Sequence, residues 1–113
     1  MANERKAPMI LHVVKMEVST EKRKEVWQTI RSLAADLKKE TDCVDSGFYQ
    51  NAEDENEFLF WGKWTDRKAL DTYVQSNRFA VLIGVGSLLR RPPDVTIHTV
   101  SHSSKLEVAS TKP

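Results

Sequence analysis

The sequence has almost nothing from which to build a covalent or membrane-embedded scaffold. Its 113 residues include one cysteine, Cys43. A lone thiol can neither close an intramolecular disulfide nor form a cysteine-cluster metal site. No apolar stretch reaches the roughly 18 residues that a membrane-spanning helix needs. Residues 1–8 are polar and lack the apolar run of a secretory leader. Charge of one sign is missing as well. Seventeen Lys and Arg stand against sixteen Asp and Glu, a formal charge of +1, with no long basic run. That argues against the electrostatic footprint of a nucleic-acid partner. Lys22-Arg23-Lys24 and Arg90-Arg91 are short enough to be solvated surface. These absences fit a cytoplasmic, reducing setting with neither membrane nor nucleic acid as partner.

The residues that are present suffice for one hydrophobic core, since about 100–200 residues make a typical domain. The expected domain spans 9–102, between polar tails at 1–8 and 103–113. Residues 9–18 have the β-branched content and late alternation of a strand. Ser19 and Thr20 offer capping hydroxyls, and Val26, Ile30, Leu33 and Leu37 then recur at helical spacing. A second strand fits 44–50, and the polar cluster 51–56 is a turn by composition. The aromatic run 57–64 completes a hairpin. Thr65 or Asp66 can cap a helix that places Ala69, Leu70, Tyr73 and Val74 on one side. Asn77 restarts the helix, and Phe79, Leu82, Ile83 and Leu89 continue its apolar surface. Gly84 and Gly86 imply either an irregular helix or very close packing there. Pro92-Pro93 ends the helix, and residues 94–102 alternate as a last strand.

The order β-α-β-β-α-β is the ferredoxin-like α+β arrangement, a four-stranded antiparallel sheet with helices on one face. Such a sheet should be apolar on the helix side and polar on the other. Strand one instead places Ile10, Val14, Met16 and Val18 on one face and Met9, Leu11 and Val13 on the other. Strand three places Phe58, Phe60 and Trp64 against Leu59 and Trp61. An apolar second face on a small protein marks an interface, so a homodimer packed through the sheet is expected; tails folded over that face are the alternative.

The ordered set Phe58-Leu-Phe-Trp-Gly-Lys-Trp64, Thr65-Asp66, Ala69-Leu70, Tyr73, Ser76 and Phe79, followed by Leu88-Leu89 and Pro92, resembles the antibiotic-biosynthesis-monooxygenase (ABM) domain family over roughly 9–102. The resemblance implies a dimeric α+β barrel. It also implies oxygenation of a small aromatic or quinol-like molecule without a metal or organic cofactor. A non-catalytic homodimer that binds or senses a small ligand is the rival reading. Many members carry His where Tyr73 stands. Haem-degrading relatives need a helix His near Ile83 and an Asn near Val14, and neither is present.

Cofactor-free oxygenation needs a dry pocket, a base and polar groups to hold an anion. His12 is the candidate base, because imidazole accepts a proton near neutral pH and its strand parity turns it toward the helices; a structural histidine at the edge of the core is the alternative. Tyr73 is the candidate polar anchor, or else an ordinary core residue. Phe60, Trp64, Phe79 and Ile83 are the candidate pocket walls, and core packing accounts equally well for Phe60 and Trp64. His98 and His102 lie late in the chain without further ligands, so no metal site is expected. Cys43 is expected to be buried and inert.

Overall fold

A computed structural model describes residues 8–109. Four strands, β1 (Met9–Glu17), β2 (Cys43–Asn51), β3 (Asp54–Trp64) and β4 (Asp94–Val100), form one sheet in the order β2-β3-β1-β4. Every neighbouring pair is antiparallel. Three helices connect them: α1 (Arg23–Leu37) between β1 and β2, then α2 (Arg67–Val74) and α3 (Asn77–Gly84) between β3 and β4. This is the ferredoxin-like α+β fold.

Local chemistry explains where the elements begin and end. β2 and β3 close with Asn51 opposite Asp54, tighter than the expected 51–56 turn. The Asn51 side-chain oxygen accepts from the Glu53 amide at 2.8 Å, the short polar bridge that favours Asn in turns. α1 starts later than its hydroxyls suggest. Thr20–Lys22 form one 3-10 turn first, and Ser19 makes no side-chain cap bond. Thr20 instead accepts from Asn56 of the hairpin. Arg23 is not free surface either. It donates at 2.9 Å to both Glu55 and Asn56, tying α1 to the hairpin.

Asp66 rather than Thr65 caps α2, accepting from the Ala69 amide at 2.8 Å. Ser76 caps α3 through the Phe79 amide at 3.3 Å, one residue before the expected restart at Asn77. Irregularity, not close packing, accounts for Gly84. α3 ends there and continues as a 3-10 turn over Val85–Leu88, while a Cβ on Gly84 would meet nothing within 4 Å.

The core lies between the sheet and the helices. Ile10, Val14 and Met16 from β1, with Val18 just beyond it, join Phe58, Phe60 and Trp64 from β3 there, all essentially out of solvent. Val26, Ile30, Leu33 and Leu37 cover them from α1, and Leu70, Tyr73 and Leu82 from α2 and α3. A second aromatic group, Trp27 with Phe48 and Phe58, fills the β2 side at centroid separations of 4.8 and 5.4 Å. On the opposite sheet face Met9, Leu11, Val13, Leu59 and Trp61 are only half-buried, and Tyr49 is 53% exposed. The described C-terminal residues 101–109 are exposed throughout, so they do not cover that face. The N-terminal tail expected at 1–8 lies outside the described residues except for Pro8.

Candidate functional site

The register of the two central strands sets the candidate site. His12 pairs with Gly62, Ile10 with Trp64 and Val14 with Phe60. Side chains alternate along a strand, so His12, Phe60 and Trp64 share the helix-facing side. α2 lays Tyr73 over them. The His12 ring stacks on Tyr73 with centroids 5.5 Å apart and planes 30° apart. It meets Phe60 edge-on at 5.8 Å and lies 6.0 Å from Trp64. Tyr73 in turn contacts Trp64 at 4.9 Å and the edge of Phe79 at 5.6 Å. Five of the six residues expected at the site are thus brought into one aromatic cluster.

Ile83 is the exception. It is 45% exposed, whereas its neighbour Leu82 is 1% exposed. Adjacent helix residues point about 100° apart, so with Leu82 turned to the core Ile83 is directed outward and is not a wall of this group.

His12 is 1% exposed and has one hydrogen bond, in which the Trp64 indole N–H donates to its Nδ1 at 2.9 Å. Its Nε2 has no partner, the only such buried side-chain nitrogen or oxygen among the described residues. Buried polar atoms in native proteins are nearly always paired, so an unpaired one calls for a physical account. Burial pushes the His12 pKa down to about 4, which keeps the ring neutral at pH 7. Tyr73 is pushed up to about 12, chiefly by burial, so its phenol stays protonated.

Gly62 makes this arrangement possible, and nothing in the composition singled it out. A Cβ there would lie 2.5 Å from His12 Cε1, 3.0 Å from His12 Nδ1 and 3.2 Å from Trp64 Nε1. The first is shorter than packed atoms tolerate, and the other two are tight contacts. A glycine inside a strand is itself a sign of close approach, and that was the available signal.

Trp64 and Tyr73 also line a cavity of about 80 Å³, together with Glu40, Asp42, Ser76 and Arg78. Arg78 bridges it, hydrogen-bonded to Glu40 and 3.9 Å from Asp36, which joins the start of α3 to the end of α1. A larger cleft of about 400 Å³ at the hairpin, lined by Tyr49, Gln50, Phe58 and Leu59, shares none of the candidate residues. Cys43 is half-buried. Its thiol donates to the Asp45 carbonyl at 3.3 Å, and burial raises its pKa, which disfavours the reactive thiolate. His98 and His102 are exposed. Among the described residues no three His, Cys, Asp or Glu side chains are grouped to hold a metal, and no helix is long and apolar enough to cross a membrane.

The family model described as antibiotic biosynthesis monooxygenase matches residues 9–83, more than half of the chain. The chain belongs to the antibiotic biosynthesis monooxygenase family. The matched span contains every residue of the His12 cluster. An uncharacterised protein of Synechocystis is 25% identical over 92 residues, which cover 80% of this chain and 63% of that protein. The chain therefore spans less than two thirds of that relative's length. A conserved protein from Methanosarcina mazei superposes with a TM-score of 0.75 at 26% identity, over 82% of this chain and 93% of that one. A structure described as an antibiotic biosynthesis monooxygenase superposes with a TM-score of 0.72 at 21% identity, covering 79% and 95% of the two chains. At that identity the likeness is one of fold.

Proposed function

We propose that this protein is a monooxygenase that acts on a small hydroxy-arene of the quinol type, using the substrate's own electrons and no cofactor. The observation that carries the reading is the unpaired Nε2 of His12, buried among Tyr73, Phe60 and Trp64. A flat aromatic ligand with an oxygen placed at Nε2 would satisfy the nitrogen and stack on the rings that surround it. The balance of the reaction is simple. A phenol releases its proton to water, and the phenolate transfers an electron to O2. The two radicals combine at a ring carbon bearing hydrogen, the peroxide anion takes a proton back from water, and the resulting hydroperoxide loses water. The C–H becomes C=O, one oxygen atom enters the product and the other leaves as water. All four electrons come from the substrate.

The site as folded is closed. The adjoining cavity of about 80 Å³ is far below the ~300 Å³ at which ligand pockets begin, so the substrate enters by displacing the α2–α3 segment that Arg78 ties to Glu40. The same closure favours a second reading, a non-catalytic homodimer that binds or senses a small ligand. Oxygen uptake with a panel of hydroquinones that includes acidic members ionised near neutral pH, corrected for autoxidation, separates the two. The monooxygenase reading expects uptake and transfer of one atom from 18O2 to the quinone. No uptake, with tryptophan fluorescence still quenched by the aromatic, would establish the binding reading instead.

The half-buried apolar residues on the outer sheet face support assembly as a homodimer through that face. Light scattering at micromolar concentration should then give twice the 12.9 kDa chain mass, and a clean monomer would refute it.

A further inference from the structure

We propose that Trp64 is a positioning residue that fixes the His12 proton on Nε2, so that the site accepts the conjugate base of its ligand and does not itself remove a proton. This rests on the reading of His12 as the ligand contact. An indole N–H can only donate. The 2.9 Å bond from Trp64 Nε1 therefore requires His12 Nδ1 to offer its lone pair. A neutral imidazole has one acceptor nitrogen and one donor nitrogen, so the proton sits on Nε2, the atom without a partner.

The sequence alone pointed to His12 as a base, but a base needs a free lone pair within reach of the proton it takes. Here the lone pair is engaged by Trp64. What remains is a buried N–H, suited to a phenolate or carbonyl oxygen. Turning the ring over would set a carbon against the indole N–H and leave both partners unpaired in a dry core. Gly62 holds the geometry, because any Cβ there would collide with His12 Cε1 at 2.5 Å and crowd the Trp64 nitrogen. The ring contacts of His12 are Phe60, Trp64 and Tyr73, none of which is a carboxylate that would draw a second proton onto it. The substrates implied are acidic hydroxy-arenes that ionise in water on their own, with Nε2–H favouring the ionised form as a fixed dipole in a low-dielectric site.

The test is 15N NMR of the histidine and indole nitrogens in the full chain without ligand. Wild-type protein should show a proton directly bonded to His12 Nε2 and a scalar coupling across the hydrogen bond between Trp64 Nε1 and His12 Nδ1. A proton on Nδ1, or no coupling, overturns the proposal whether or not Trp64→Phe folds. Trp64→Phe should lose the single tautomer, and an unchanged tautomer in that variant removes the positioning role. These measurements do not depend on oxygenation, so failure of the monooxygenase reading leaves them intact.

The ligand half is read with 4-nitrophenol near its own pKa. Wild-type protein should raise the phenolate absorbance and shift the Nε2–H resonance, and Trp64→Phe should lose both effects. Binding as the protonated phenol, or no binding at millimolar concentration, overturns the ligand assignment.

Discussion

Lowering the pH from 7 to 4 should cost the fold about 3 kcal/mol through His12 alone. The ring is held neutral by burial, with its pKa lowered from 6.5 to about 4, and each pH unit of difference is worth ~1.4 kcal/mol. The sign follows from proton counts. Between pH 6.5 and about 4 the unfolded chain binds a proton at this residue and the folded chain does not, so stability falls with falling pH. Above 6.5 the imidazole is neutral in both states and His12 adds no slope. Below about 4 it is protonated in both, and the loss is complete. A domain of this size has only ~5–15 kcal/mol of stability, so the effect is a large share of the total. Urea unfolding followed by tryptophan fluorescence, at fixed protein concentration from pH 4 to 8, measures it against His12→Gln, which cannot titrate. The wild-type curve should fall relative to the variant by ~3 kcal/mol across that window. Parallel curves would refute the claim that His12 is buried neutral.

Gly62→Ala should destabilise by ~1–3 kcal/mol, because the added methyl overpacks the His12–Trp64 pair; a thermal midpoint equal to wild type would contradict the packing described. Phe60→Ala removes a side chain with 0% exposure and should cost ~3–5 kcal/mol in urea unfolding. Asp66→Ala removes the α2 cap bond to the Ala69 amide and should cost ~1 kcal/mol, whereas Thr65→Ala, which touches no cap, should cost less. Leu59→Lys sets a charge into the outer apolar face; if the proposed homodimer packs through that face, this change should give a monomer by light scattering with the fold retained by circular dichroism. A dimer that survives this change lies elsewhere on the molecule.

Much of the fold could be read from periodicity. Val26, Ile30, Leu33 and Leu37 lie on one side of any helix by geometry alone, and all four are buried. The alternation in β1 and β3 likewise fixed which residues share a face before any partner strand was known. End points were less legible, because capping depends on which side chain reaches a free amide. Thr65 and Asp66 are equivalent by composition, and only backbone direction selects Asp66.

The candidate site divides in the same way. Strand parity turned His12, Phe60 and Trp64 toward the helices, while the resemblance to antibiotic biosynthesis monooxygenases brought in Tyr73 and Phe79 and supplied a chemistry for the group. Ile83 was misplaced because Leu82 is the α3 residue turned to the core, and its neighbour points about 100° away from it, toward solvent. The decisive bond joins residues 52 positions apart. It exists only because β1 pairs with β3 in the register that sets His12 against Gly62 and Ile10 against Trp64. The sequence by itself determined the element order, the two apolar sheet faces and the residues turned toward the helices, since those follow from local period and propensity. Tertiary structure alone decided which His12 nitrogen has a partner and which is left unpaired, because a hydrogen bond is set by what lies within 3 Å and not by what is adjacent along the chain.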